Sequence, residues 1–152
     1  MAYLPTTTMD MSLPSELGYE VIARDAVAAF AHRHGIPAAR IEDLKTALSE
    51  ACINAIEHGN LLRPELRVQV SCSFVDDCLM VEVLDQGMQP VMPDHQPLSI
   101  SDKLAGKGSL RGMGLMLIEQ LCDEAGFVPH NAAGNCFRFA VHCQHSPRAS
   151  AD

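Results

Sequence analysis

Hydrophobic residues recur at helical spacing along residues 38–59 and define one apolar face. Its members are Ile41, Leu44, Leu48, Ala51, Cys52 and Ala55. Glu50, Asn54 and Glu57 fall on the opposite face, because residues at i, i+4 and i+7 share one side of a helix. Gly59 suits a left-handed cap at the end of the helix. The polar face is either an ordinary solvated surface or a site where two carboxylates and an amide converge.

The same spacing predicts two further helices. One follows Ser15, which is a candidate N-cap, and continues to Gly35. The other begins near Leu115, where Leu115, Leu117, Ile118 and Leu121 form its apolar stripe. These stripes must be buried against another element, and the strands described next supply it.

Alternating apolar and polar residues predict strands at 66–74, 79–85 and 136–143, each with one buried and one wetted face. Asp76 and Asp77 form the tight turn between the first two. Residues 131–135, NAAGN, form the turn before the last, and Phe127-Val128 belongs to the strand that leads into it. Residues 6–13, ended by Pro14, are predicted as an edge strand.

Asp85 falls in register with Leu79, Val81 and Val83, on the side where the helices pack. A carboxylate there is costly unless it is hydrogen-bonded or meets a ligand. It either caps the following turn or recognises a bound molecule, and the residues alone leave both interpretations open.

Composition narrows the class of protein. The 152 residues fit a single domain, 1–152, with a core at about 10–143 and a flexible tail at 144–152. The net charge of −8 and the absence of a basic run argue against direct nucleic-acid binding. No targeting segment or membrane span is evident, so a cytoplasmic protein is expected. The six cysteines lie mostly in apolar runs without metal-site spacing, which favours buried thiols in a reducing compartment.

Residues 86–111 form a long connection rich in proline and glycine, of the kind used for lids and binding loops. It leads into Gly112-Met113-Gly114 at the start of the third helix. Glycines at a helix entrance allow a phosphate to approach free backbone N–H groups, although this motif is weak alone. Lys107 and Arg111 are either cations for that phosphate or ordinary solvated loop charges.

Taken in order, these motifs resemble the GHKL (Bergerat-fold) ATPases, and within them the anti-sigma factor serine/threonine kinases of bacterial partner-switching systems. Residues 49–60, SEACINAIEHGN, are similar to the family's N box. Residues 83–87, VLDQG, are similar to its first glycine box, and residues 111–115, RGMGL, to its second. The resemblance implies an α+β fold: a two-layer sandwich whose mixed, mostly antiparallel sheet is covered on one face by helices.

The resemblance also implies roles for individual residues. Glu50 would be the catalytic base, and Asn54 would supply an oxygen to Mg²⁺ beside bound ATP. Asp85 would accept the adenine amino group. The other implied nucleotide-binding residues are His58, Gly59, Gly87, Lys107, Arg111, Gly112, Met113, Gly114 and Leu115. Gln89 departs from the family, which commonly has a second glycine at that position.

The implied function is phosphorylation of an anti-anti-sigma (STAS-domain) protein and sequestration of a sigma factor or other regulatory target by a homodimer. Gln89 motivates an alternative, a non-catalytic module in which the nucleotide only gates partner binding. Hydrolysis with water as the nucleophile is a third, less favoured possibility, because nothing in the chain resembles a coupled mechanical domain.

Overall fold

The computed structural model describes residues 6–87, 111–130 and 133–143, with the side chains of 111–113 outside that description. The strands are β1 (Thr7–Pro14), β2 (Arg67–Val75), β3 (Cys78–Leu84), β4 (Glu124–Val128) and β5 (Cys136–His142). The α-helices are α1 (Tyr19–Arg33), α2 (Ala38–Asn54) and α3 (Arg111–Leu121), and a π-helical turn (Ala55–Gly59) continues α2.

The five strands form one sheet in the order β1-β2-β3-β5-β4. Every neighbouring pair among these described strands is antiparallel, with β3 at the centre between β2 and β5. The register places Val70 opposite Val83, and Val83 opposite Phe137. One face of the sheet is therefore continuously apolar across its three middle strands.

All three helices contribute to the core that covers this apolar face. Its largest fully buried side chains are Phe139, Leu44, Leu48, Ile56, Leu79, Ile118, Val27, Val68, Val70, Val81, Val83 and Val141. The predicted alternation of the strands and the apolar stripe of α2 are thus confirmed. The predicted two-layer α+β architecture is confirmed as well. In the part of the chain described here, no helix combines the length and apolar character needed to cross a membrane.

The prediction that Ser15 caps α1 is wrong. Gly18 occupies the N-cap position, and its N–H donates to the Glu20 carboxylate at 2.6 Å. Ser15 is instead fully buried, and its N–H donates to Leu66 C=O at 3.0 Å, which ties the end of β1 to the start of β2. At the other end, α1 stops at Arg33, and Gly35 takes the left-handed conformation with φ of 80°.

The predicted left-handed cap at Gly59 is also wrong. The helix passes into the π-helical turn after Asn54, and Asn60 N–H donates to Ala55 C=O at 2.8 Å, five residues back. Leu61 and Leu62 adopt the left-handed conformation instead, with φ of 54° and 58°. A glycine at position 59 is therefore explained by its close contact with Asp85 and not by a left-handed backbone.

The turn at Asp76 and Asp77 is confirmed. Both residues have positive φ, 51° and 59°, as the two central residues of a type I′ hairpin turn require. The turn fixes the register between β2 and β3, and thereby determines where β3 ends. Asp85 follows directly after that end.

Candidate active site

Asp85 is held at the end of β3 by two separate segments of the chain. Its N–H donates to Asn135 C=O at 3.0 Å. Its Oδ1 atom accepts hydrogen bonds from Gly87 N–H at 2.9 Å and from Asn135 N–H at 3.0 Å. The side chain of Asn135 reaches Oδ1 at 3.2 Å and Oδ2 at 3.4 Å. Asp85 as a whole is only 7% exposed, and most of the hydrogen bonds that its carboxylate accepts from described residues converge on Oδ1. Oδ2 therefore keeps accepting capacity for a bound molecule.

The two interpretations of Asp85 are thus compatible. The Gly87 hydrogen bond is the turn-capping contact, and it fixes Oδ1. The same contact orients Oδ2, so capping and the predicted recognition would use different oxygens of one group.

Three glycines leave space that side chains would otherwise fill around Asp85. A Cβ atom on Gly59 would overlap the Asp85 carboxylate and lie 2.8 Å from Asp85 Cβ. A Cβ atom on Gly87 would overlap the C=O of Gly59, and one on Gly134 would overlap the C=O of Asp85. Three backbone segments therefore pack directly against one another around Asp85: the π-helical turn, the residues after β3 and the turn before β5.

Glu50 and Asn54 lie at a second part of the site, along α2. Both are half-buried and one helical turn apart, about 6 Å along the axis. A Cβ atom on Gly114 would lie 2.7 Å from Glu50 Oε2, so the first turn of α3 packs directly on the Glu50 carboxylate. The structure thereby brings the N box and the second glycine box together.

The remaining predicted residues lie in several parts of the chain. His58 lies in the π-helical turn, with Nε2 3.8 Å from Glu57 Oε2. Leu115 is half-buried and packs against the core. The backbones of Arg111, Gly112 and Met113 form the first turn of α3, while Lys107 and Gln89 lie outside the described residues. The roles predicted for these residues stay predictions.

Two residues at the site were missed by sequence reasoning. Asn135 contacts Asp85 from a position 50 residues away, and Asn60 is 1% exposed and joins the π-helical turn to the strands. Both residues belong to recognisable local motifs, Asn135 to the NAAGN turn and Asn60 to the end of the N-box sequence. Nothing in their local pattern, however, points to a partner so distant along the chain.

Most of the cysteines are buried, and none of the six forms a disulfide. Burial raises the pKa of Cys52 to about 12. Burial likewise raises the pKa of Cys72 and of Cys136 to about 11. Such thiols stay protonated at neutral pH and are poor nucleophiles.

Comparison with known proteins identifies the family. A family model described as the histidine kinase-like ATPase domain matches residues 13–141. The chain belongs to the histidine kinase-like ATPase family. It is 34% identical over 127 residues to serine-protein kinase RsbW of Bacillus velezensis, which covers 76% of this chain and 74% of that relative. The predicted membership of the GHKL anti-sigma kinase group is confirmed.

Two further proteins extend the comparison. The chain is 29% identical over 122 residues to anti-sigma F factor of Oceanobacillus iheyensis, covering 79% of this chain and 82% of that relative. A crystal structure of the RsbU and RsbW domains of Rv1364c from Mycobacterium tuberculosis superposes with a TM-score of 0.65 at 21% identity, over 91% of this chain. The chain spans 32% of that longer protein, so this likeness concerns the fold.

Proposed function

We propose that this chain is an ATP-dependent protein serine/threonine kinase of a bacterial partner-switching system. The observation that carries the proposal is the contact between the Glu50 carboxylate and Gly114. It places a candidate proton acceptor at the entrance of α3, where the positive end of the helix dipole favours phosphate. The resemblance to proteins named serine-protein kinase supports the same activity.

Asp85 fits the adenine end of ATP. Its Oδ2 atom, which Asn135 Nδ2 reaches at 3.4 Å, has capacity to accept a further hydrogen bond from the exocyclic amino group of adenine, while Oδ1 is held by Gly87 and Asn135. Guanine presents a carbonyl at the same place, and two acceptors repel each other. A buried carboxylate therefore favours ATP over GTP. With GTP bound, its Oδ2 atom would face a carbonyl oxygen and its hydrogen-bonding capacity would stay unsatisfied.

Asn54 fits a position beside the phosphates. Its amide oxygen is a hard donor of the type that Mg²⁺ binds. It lies one turn from Glu50 on the same helix, and would hold an ion that bridges phosphate oxygens and offsets their charge. Lys107 and Arg111 are proposed to contribute cations at that end, and the remaining predicted glycine-box residues to line it.

The reaction is an in-line displacement. The serine or threonine hydroxyl of the acceptor protein forms a new bond to the γ-phosphorus as the bond to the β-phosphate oxygen breaks. Glu50 orients that hydroxyl and accepts its proton, and ADP leaves. The non-catalytic alternative is not favoured, because Glu50 has no evident structural task that would require a carboxylate beside Gly114.

We propose as the acceptor an anti-anti-sigma protein of the STAS type, and as the regulated target a sigma factor or another regulatory protein. The name anti-sigma F factor carried by one relative supports this assignment. We also propose that the protein acts as a homodimer in the cytoplasm.

A calorimetric titration with ATP, with and without Mg²⁺, tests the nucleotide site. Saturable binding that is stronger with Mg²⁺, and that loses this enhancement in Asn54→Ala, is expected. The STAS-domain proteins encoded in the same genome, purified singly, are then incubated with γ-labelled ATP and either the wild type or Glu50→Gln. Label transferred by the wild type and not by Glu50→Gln supports the kinase. Absence of nucleotide binding under both conditions would overturn it.

A further inference from the structure

Asn60 uses its buried side chain to join three segments of the chain. Its Nδ2 atom donates to Arg67 C=O at 3.0 Å, at the first residue of β2. Its Oδ1 atom accepts from Gln86 N–H at 2.7 Å, at the residue after Asp85. Both ends of the carboxamide are thus hydrogen-bonded to backbone groups of other segments, as is usual for a buried polar side chain.

Gln86 closes this network from the other side. Its Oε1 atom accepts from Arg67 N–H at 2.7 Å. The backbone of Arg67 is therefore held at its N–H by Gln86 and at its C=O by Asn60. Two carboxamides and two backbone segments form a closed ring of hydrogen bonds, which we term the Asn60 ring. Closed networks of this kind have few alternative arrangements, because moving one member breaks several bonds.

The Asn60 ring is adjacent in sequence to both residues of the contact between Gly59 and Asp85. Gly59, whose backbone faces the Asp85 carboxylate, precedes Asn60, while Asp85 precedes Gln86. The hydrogen bond from Gln86 N–H to Asn60 Oδ1 therefore sets the separation between the π-helical turn and the residues after β3. The two segments are already in contact at Gly59 and Gly87, because a Cβ atom added to either glycine would overlap the other segment.

We infer that Asn60 is a positioning residue for purine recognition: it fixes the Asp85 carboxylate at the distance from the π-helical turn that the adenine amino group requires. Asn60 itself is buried and contacts backbone, so it acts through Asp85 and not on the nucleotide. This inference rests on the proposed function, because it assigns Asp85 to the base of ATP. It predicts that losing the ring weakens discrimination between purines more than it weakens phosphoryl transfer.

The test compares Asn60→Leu, which has a similar shape without hydrogen-bonding atoms, with Gln86→Ala, which removes an exposed member of the ring. Val27→Ala is the matched control, since it truncates a fully buried side chain on α1 that has no part in the ring. The dissociation constants for ATP and for GTP are measured on each protein, at a temperature where unfolding curves show it to be folded. The KM for ATP and kcat follow with the phosphoacceptor.

Asn60→Leu is expected to lower the ATP-over-GTP preference roughly three- to tenfold, the effect of losing about one well-placed hydrogen bond. KM for ATP rises accordingly, while kcat at saturating ATP stays near the wild-type value. Gln86→Ala moves the preference in the same direction by a smaller factor, and Val27→Ala leaves it unchanged.

A folded Asn60→Leu protein with the wild-type preference would overturn the inference, as would an equal loss in Val27→Ala. If Asn60→Leu does not fold, Gln86→Ala decides: a reduced preference supports the inference and an unchanged one overturns it. A wild-type protein that binds neither nucleotide instead removes the proposed function, and the inference with it. A wild type that binds ATP and GTP equally overturns the inference together with the assignment of Asp85 to adenine, and leaves the proposed kinase activity standing.

Discussion

The carboxylate of Glu50 lies against the α-carbon of Gly114, so that a Cβ atom at position 114 would be 2.7 Å from Glu50 Oε2. The two residues are 64 positions apart in the sequence, one on α2 and one in the first turn of α3. The carboxylate is the end of a flexible side chain, which can move aside at little cost. The contact therefore constrains where the carboxylate points more than it constrains the fold.

Gly114→Ala is expected to separate catalysis from stability. The added methyl group displaces the Glu50 carboxylate, so kcat should fall by roughly tenfold to a hundredfold, because a misplaced catalytic group loses much of its effect. The free energy of unfolding should change by less than about 1 kcal/mol, since alanine favours the helix as glycine does not. Phosphoryl transfer and urea unfolding measure the two quantities. A large loss of stability with normal kcat would contradict this interpretation of the contact.

Gly59→Ala addresses the adenine end of the site. The new Cβ atom would overlap the Asp85 carboxylate and break its hydrogen bonds to Gly87 and Asn135. Overpacking of this kind costs about 1–3 kcal/mol, and ATP binding should be lost or greatly weakened. Calorimetry with ATP and thermal unfolding test both effects.

Gly126→Ala is the matched control for that substitution. Gly126 lies in β4, and an added Cβ atom there meets nothing within 4 Å. The same chemical change should therefore leave ATP binding intact and stability equal or slightly higher. Equal effects of the two substitutions would show that the Gly59 contact is unimportant.

Periodicity is sufficient to predict the three middle strands of the sheet, β2, β3 and β5. Alternation of apolar and polar residues reports burial directly, and Asp85 could be assigned to the buried face because it shares the register of Val81 and Val83. The structure confirms that placement. Local pattern thus predicts the buried carboxylate of the candidate site without its hydrogen-bond partners.

The π-helical turn could not be predicted in the same way. It is followed by Asn60, whose side chain bonds to the backbones of Arg67 and Gln86 in other segments. Leu61 and Leu62 come next and take left-handed conformations, which leucine disfavours. Local pattern does not report these long-range contacts. Gly59, at the helix end, contacts Asp85 closely and does not form the left-handed cap that its position suggests.

The buried ion pair between Arg40 and Asp123 is expected to be important for stability. Arg40 is 8% exposed, and its Nη2 atom lies 2.6 Å from Asp123 Oδ2, which also accepts His142 N–H at 2.8 Å. Asp123→Ala leaves the guanidinium buried beside only Asp43 and Leu121 C=O. The free energy of unfolding should fall by about 3 kcal/mol.

The exposed pair of Lys45 and Glu42, 3.5 Å apart, provides the comparison. Glu42→Ala should change stability by less than about 0.5 kcal/mol, because solvent screens the interaction. Urea unfolding at pH 7 measures both variants. Similar losses from the two would mean that burial does not distinguish the pairs.

Alkaline pH should destabilise the protein through its buried thiols. The pKa of Cys52 is raised to about 12, mainly by burial and then by Glu20, whereas an unfolded thiol ionises near pH ~8.5. Between these values the native state binds more protons than the unfolded state, so stability falls as pH rises. The contribution is complete below the unfolded pKa and is progressively lost up to the folded one, at about 1.4 kcal/mol per pH unit for each such thiol.

Urea unfolding of the wild type and of Cys52→Ala at pH 7.5, 9 and 10 isolates this thiol, because the other titrating groups are common to both proteins. Cys52→Ala should be less stable at pH 7.5, since it removes a buried sulfur from the core. Its free energy of unfolding should nevertheless decline less steeply as pH rises. The difference in free energy of unfolding between the two proteins should therefore narrow by roughly 1 kcal/mol between pH 9 and 10. Parallel pH curves would show that Cys52 ionises in the native state as readily as in the unfolded chain, and that the core around α2 admits the charge.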